Sequence, residues 1–250
     1  MDTTLDRFLD GRLLLEQPVK GHHRAGLDAM LLAACVPETA EGVVVDLGAG
    51  IGTAGLAVAV RAPGVRVRLA ERDPHALALA RANVARAEDI AARLELVEVD
   101  VLRRGPERDA LLPRESADVV ICNPPYFAPR EVRASPSPAR AGAHVLGEGG
   151  LDDWARVAAA TLRPHGRLAL IFKGDGLAEI LAACAGRFGA VALRPIHPRA
   201  EAPAHRLLVT AVKGSRARPS ILPGLVLHPA EGNTYLAEAD AVLRGRRDLA

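Results

Sequence analysis

The chain has 250 residues, 49% of them hydrophobic, enough for one large α/β domain or two small ones with a substantial core. Three cysteines, Cys35, Cys122 and Cys184, are far apart and odd in number, which argues against a disulfide framework or a paired-thiol zinc site and fits a reducing, cytoplasmic compartment. No apolar run is long enough to span a bilayer and no leader pattern opens the chain; the net charge is only +2, but the cations are nearly all arginine, which grips phosphate in a two-pronged way.

Before the first strand, an apolar segment, LDAMLLAACV, reads as a helix packing over whatever site follows. Then GVVVDL, TAGLAVAVRA, VRVRLAE, PHALALARANVARA and LELVEVD alternate short valine-rich runs with alanine-rich helical patterns, a βαβαβ order. Unbroken runs of this kind suit a parallel sheet covered on both faces. Asp73 before Pro74 marks a helix start, a cap followed by proline at the first helical position. ADVVIC, the helix LDDWARVAAATL, the strand GRLALIF, the helix DGLAEILAACAGRF and the strands AVALRPIH and HRLLVTAVK complete the series. The connection between the last two is too short for a parallel crossover, so they are expected to pair antiparallel. The expected fold is α/β, a Rossmann-like sheet of seven strands, the seventh antiparallel at the end, with helices on both faces.

The stretch DLGAGIGTAG (46–55) joins the first strand to the first helix of this series, where glycines let the backbone turn sharply and approach a ligand. Gly50, Gly52 and Gly55 satisfy the dinucleotide fingerprint, and Glu71 stands where such folds place a ribose-binding carboxylate, so a nicotinamide or flavin enzyme is one reading. Asp46 with Gly48 and Gly50 points elsewhere, because an acid at the strand end suits an ammonium group better than a pyrophosphate. S-adenosylmethionine carries such a group, a sulfonium and a ribose. Glu71 is placed to accept from both ribose hydroxyls, and Asp100, ending VEVD, from the adenine amino group. Any one of these acids is equally a helix cap or a turn acid; three at successive strand ends all face the switch-point crevice.

ADVVIC runs straight into Asn123-Pro124-Pro125-Tyr126, on the same crevice. An aromatic or amide amine is a poor nucleophile because its lone pair is delocalised. An enzyme that alkylates one must hold both N–H hydrogens so that the lone pair turns toward the donor. The Asn123 side-chain oxygen and the Pro124 carbonyl are suited to accept them, the prolines stiffen the turn, and Tyr126 offers a face on which a planar substrate stacks. Beyond Phe127, Arg130, Arg133 and Arg140 line a long loop, and Arg194, Arg199, Arg206, Lys213, Arg216 and Arg218 make a second basic stretch; both are expected to hold phosphates. The adjacent pair His22 and His23, and His197 and His205, lack metal-ligand spacing, and no metal is expected; His144 and Trp154 are candidates to line the substrate entrance.

With these residues placed, the chain resembles class I S-adenosylmethionine-dependent methyltransferases of the NPPY amino-methylating type, most of all the bacterial tRNA1(Val) adenine-N(6)-methyltransferase family. RFLDGRLLLEQPVKGHHRAGLDAMLLAA resembles that family's N-terminal cap, DLGAGIGTAGL its cofactor loop, AERDPHALALARAN its ribose-binding turn, ICNPPYF its catalytic turn, and RLLVTAVKGSRARPSILPGLVLH a C-terminal extension. The resemblance implies a cap (1–40), a class I methyltransferase domain (41–213) and an extension (214–250) packed on it. It implies cofactor contact at Arg24, Asp46, Gly48, Gly50, Glu71, Arg72, Asp100, Val101 and Asn123. Asn123, Pro124, Pro125 and Tyr126 become the catalytic turn, and Tyr126, Phe127, Arg130, Arg133 and Arg140 the substrate contacts. The implied reaction methylates the exocyclic amine of adenine in the anticodon-loop region of tRNA, by a cytoplasmic monomer or homodimer without metal or membrane. NPPY also occurs in enzymes acting on ribosomal RNA guanine and on release-factor glutamine. The glutamine enzymes carry a helical domain for which the residues before the glycine loop are too few; guanine stays open. From other classes, a nicotinamide-dependent oxidoreductase and a non-catalytic RNA-binding module stay open as well.

Overall fold

The structure is a computed structural model that describes residues 2–19, 26–125 and 150–249. It begins with a hairpin: β1 (Thr3–Phe8) pairs antiparallel with β2 (Leu13–Pro18), Phe8 opposite Leu13. Asp10 (φ 58°) and Gly11 (φ 83°) make the turn, the left-handed pair that Asp-Gly supplies at low cost. Leu13 and Leu15 alternate inward as buried residues. The hairpin is absent from the periodicity reading, although its Asp-Gly turn is a recognised signal.

Helix α1 (Leu27–Ala33) follows and is buried from Ala29 through Val36 against α2 (Thr53–Arg61) and β7 (Leu162–Lys173). The other sheet strands are β3 (Gly42–Leu47), β4 (Val65–Glu71), β5 (Leu94–Glu98), β6 (Ala117–Cys122), β8 (Phe188–His197) and β9 (Arg206–Lys213), in the order β5-β4-β3-β6-β7-β9-β8. All run parallel except β9, which is antiparallel to both β7 and β8. The antiparallel expectation holds, with β9 last among the long strands in sequence but inside the sheet rather than at its edge. The chain winds from β3 outward to β5, then restarts at β6 beside β3, which opens a crevice at the C-terminal ends of β3 and β6.

Adjacent side chains of a strand face opposite sides, and the valines of β3 show it. Val44 belongs to a core shared with α1 and α2, and Val45 to one shared with α6 (Gly150–Thr161) and α7 (Leu177–Cys184). Helix α3 (Pro74–Arg86) lies beside β2 and β5; Asp73 caps it, as expected, by accepting from the amides of His75 and Ala76 (2.8 and 2.9 Å). Short helices α4 (Glu88–Ala91) and α5 (Pro106–Leu111) fill the connections around β5.

After β9, two short strands, β10 (Ser220–Ile221) and β11 (Leu225–Val226), add parallel to β8 and extend the sheet past the seven expected strands. Helix α8 (Ala237–Leu243) then packs against α1, and the Leu249 amide donates to the Ala34 carbonyl (2.7 Å). Arg61, almost fully buried, donates to the carbonyls of Ala33 and Val36 and pairs with Asp248. Arg244 and Arg246 reach Asp10 in the hairpin turn (2.6 and 2.5 Å), so both chain ends meet on one side. No helix among the described residues is long and apolar enough to cross a membrane.

Candidate active site

The glycine loop hangs from the end of β4, where the amides of Gly48 and Ala49 both donate to the Ala70 carbonyl (2.9 and 3.0 Å). Gly48, Gly50 and Gly52 have φ of +69°, +58° and +90°, the left-handed region that glycine enters freely. Their surroundings differ. A Cβ on Gly50 would meet nothing within 4 Å, so that side of the loop is open to a ligand, whereas one on Gly48 would lie 2.7 Å from the Trp154 ring. Trp154 on α6 is 7% exposed and packs its ring under the loop. Gly55 is required for packing, since a Cβ there would fall 2.2 Å from Leu69 and push α2 off β4. Gly48→Ala is therefore expected to weaken S-adenosylhomocysteine binding at least about tenfold in calorimetric titration, because strain and the Trp154 clash both displace the loop.

Asp46 is 3% exposed and its Oδ2 accepts the Gly55 amide (2.9 Å). Gly52, the residue before α2, has no side chain to cap the helix, so Asp46 supplies the cap from the strand. Burial, reinforced by the charge of Glu71 and opposed by the Gly55 hydrogen bond, pushes its carboxyl up to about 7. Glu71 accepts the Gly50 amide on Oε2 (2.7 Å) and the amides of Arg72 and Asp73 on Oε1 (2.7 and 2.8 Å). Asp100 accepts from the Leu102 amide (3.0 Å) and from Arg72 (2.9 Å). Burial pulls Asp100 upward, but Arg72 and the amides of Leu102 and Arg103 together outweigh it and leave the carboxyl below its ordinary value. Arg72 thereby joins the ends of β4 and β5, with Val101 buried beside them.

Sheet register brings these groups to one edge. Leu47 stands opposite Cys122, so Asn123 leaves β6 beside Gly48; Glu71 stands opposite Glu98, two residues before Asp100. Asn123 and Pro125 are half-buried and Pro124 is buried. Arg24, Tyr126, Phe127, Arg130, Arg133 and Arg140, with His22, His23 and His144, lie outside the described residues.

The second basic stretch is largely bonded within the chain. Arg194 donates to the Pro223 carbonyl (2.9 Å), Arg199 to the Gly232 carbonyl (2.8 Å), Arg206 pairs with Asp28 (3.0 Å) and Lys213 with Glu115 (3.1 Å). These cations hold the C-terminal tail and the loops to the sheet, so they correct the expectation of a phosphate-gripping row. Arg216 and Arg218 are exposed, but they follow the antiparallel β9 and so emerge at the end of the sheet opposite the crevice. His197 and His205 bond the carbonyls of Ala202 and Ile196 (2.8 and 3.1 Å).

One residue near the loop escaped the sequence reading. Asn83 in α3 is fully buried and bonds both β2 and the glycine loop. Its signal was an asparagine inside a helix on the face of Leu77 and Ala80, where an unpaired carboxamide is costly.

A family model described as the methyltransferase small domain matches residues 14–190. The chain belongs to that family. It is 32% identical over 216 residues to a Porphyromonas gingivalis (strain W83) protein named tRNA1(Val) (adenine(37)-N6)-methyltransferase, covering 84% of this chain and 83% of that one. A release factor glutamine methyltransferase of Cereibacter sphaeroides is 37% identical over 134 residues, 51% of this chain and 45% of that one. Among solved structures, a predicted O-methyltransferase from Agrobacterium tumefaciens superposes with a TM-score of 0.76 at 37% identity, over 89% of this chain and 98% of that one. The methyltransferase small-domain chain described here is an S-adenosylmethionine-dependent methyltransferase, and the oxidoreductase and binding-module readings fall away.

The residues present fit that cofactor. The open face of Gly50 leaves room for a ligand against the backbone, and the carboxylates of Asp46 and Glu71 bracket it with negative charge suited to a cation. Thr53, the first residue of α2, buries a hydroxyl that has no partner among the described residues, a donor of the kind an amino acid carboxylate takes.

Proposed function

We propose that this methyltransferase acts on the exocyclic amino nitrogen of an adenine in the anticodon-loop region of tRNA. The observation that carries the reading is the register of β6 on β3, which sets Asn123 and Pro124 beside Gly48 of the cofactor loop. The name and coverage of the Porphyromonas gingivalis relative support the base and the RNA class. S-adenosylmethionine supplies an electrophilic methyl on a positively charged sulfur. The side-chain oxygen of Asn123 and the carbonyl of Pro124 accept the two N–H hydrogens of the amine, turning its lone pair toward that methyl. Pro124 and Pro125 fix the carbonyl's direction at little entropic cost. No side chain has to remove a proton beforehand, because the nitrogen becomes acidic once alkylated.

Asp46, Gly48, Gly50, Glu71, Arg72, Asp100 and Val101 are proposed to hold the cofactor, together with Arg24, and Asn123 to border it while its side chain turns to the substrate amine. Glu71 has one lone pair left after three amide bonds, so it accepts one ribose hydroxyl with the loop as it stands and a second on releasing the Gly50 amide. Tyr126 and Phe127 are proposed to stack the splayed base, and Arg130, Arg133 and Arg140 to hold phosphates. Three phosphate contacts predict a plot of log affinity against log salt with a slope of at least about −2 in magnitude. Arg216→Ala with Arg218→Ala is expected to leave RNA affinity within about twofold, since those side chains emerge at the far end of the sheet.

Mass spectrometry of nucleosides from total tRNA, with and without the gene, tests the proposal. Loss of one N(6)-methyladenosine supports it, and an unchanged tRNA profile refutes it. Loss of a methylated guanine from ribosomal RNA, of methylglutamine from a release factor or of a ribose-methylated nucleoside would move the acceptor accordingly. The glutamine reading is the weaker of these, because its relative aligns with about half of the chain.

A further inference from the structure

We infer that Asn83 is a positioning residue for the cofactor loop and that the N-terminal hairpin is part of the scaffold of the active site. Asn83 is fully buried, and its carboxamide is spent on three backbone groups. Its Oδ1 accepts the Glu16 amide (2.7 Å), while its Nδ2 donates to the carbonyls of Glu16 (3.2 Å) and Ile51 (3.1 Å). Two carbonyl partners fix which end of the amide is nitrogen. Toward Glu16 the side chain imitates the next strand of a sheet, meeting both the N–H and the C=O of one residue on the edge of β2 that faces away from β1.

The bond to Ile51 matters because of where Ile51 sits. It lies between Gly50 and Gly52, and its carbonyl is the regular helical acceptor for the amide of Gly55, four residues on. That amide donates to Asp46 instead, and the first regular bond of α2 runs from Leu56 to Gly52 (2.9 Å). Asp46 and Asn83 thus each take one half of the hydrogen bond that would extend the helix by one residue into the loop. Parted in this way, the loop keeps its left-handed glycines and the open face at Gly50. The anchor is itself anchored: Thr3 and Arg86 hold the Glu16 carboxylate (2.8 and 3.2 Å), and Arg244 and Arg246 hold the hairpin turn at Asp10.

The inference rests on the cofactor assignment and not on the RNA substrate, so its test uses S-adenosylhomocysteine. In Asn83→Asp the acceptor for Glu16 is kept and both donations are lost; Asn83→Ala removes all three bonds. Either variant is expected to weaken S-adenosylhomocysteine binding tenfold or more and to raise the KM for S-adenosylmethionine alike. RNA affinity should stay within twofold, and amide exchange should quicken across residues 50–53. Arg163→Ala, which breaks the ion pair with Asp118 (2.7 Å) at the start of β6, away from both the loop and the hairpin, should leave cofactor affinity unchanged and so separates positioning from general destabilisation. A folded Asn83 variant with wild-type cofactor affinity and wild-type exchange would overturn the inference, as would failure of both variants to fold. Should the wild-type protein itself not bind S-adenosylhomocysteine, the cofactor reading fails, and exchange in the loop alone decides whether Asn83 anchors it.

Discussion

Asn123→Ala lowers kcat about a hundred- to a thousandfold while the affinity for S-adenosylhomocysteine stays within about threefold, if positioning of the amine is the main catalytic device. Removing the side-chain oxygen leaves one N–H hydrogen unclaimed, and the lone pair of the amine drifts back into conjugation with its ring. The bonds of Ala70, Glu71, Asp46 and Asn83 that hold the cofactor loop stay in place. Asn123→Asp keeps an acceptor and should retain more activity than the alanine variant. Single-turnover kinetics on the RNA substrate, paired with calorimetric titration of S-adenosylhomocysteine, checks both halves. Equal losses in kcat and in cofactor affinity would move Asn123 from the substrate to the cofactor.

Asp46→Asn is expected to stabilise the ligand-free protein and weaken its cofactor binding together. The folded protein holds the Asp46 proton up to about 7, whereas the unfolded chain releases it near 3.8. Between those values the folded state binds more protons, so the contribution of this group to stability is intact below pH 4 and is lost as pH rises through 7. At pH 8 the ionised carboxylate costs on the order of 2–4 kcal/mol, at about 1.36 kcal/mol for each pKa unit. Asparagine still accepts the Gly55 amide and never ionises. Its gain over the wild type should therefore be negligible near pH 4 and grow to several degrees of melting temperature at pH 8. S-adenosylhomocysteine affinity at pH 8 should meanwhile fall about tenfold, as the ammonium group loses a buried counter-charge. Thermal melts across this pH range check the first half. A variant no more stable than wild type at pH 8 would show that the carboxylate is better solvated than its burial implies.

The order of elements, the glycine loop, the row of acids and the amide-proline turn could be read from the residues alone. These are local properties: a valine run, a cap before a proline and a glycine that must take positive φ depend on near neighbours and show in the string. Even the pairing of β8 with β9 was legible, because a short connection cannot make a crossover.

What long side chains and buried amides would bond depended on the assembled fold. Arg194, Arg199, Arg206 and Lys213 look in sequence like a surface for phosphates, but each has met a carbonyl or carboxylate that packing delivered from elsewhere in the chain. Trp154 lies under Gly48 because α6 covers that face of the sheet, and Asn83 joins β2 to Ile51 because α3 lies between them. Asp46 was legible as an acid at a strand end; that it also caps α2, and is buried enough to hold a proton near neutrality, came from the close approach of helix to strand that Gly55 permits. A hydrogen-bond partner is a property of a place, and places far apart in sequence become neighbours only when the core closes.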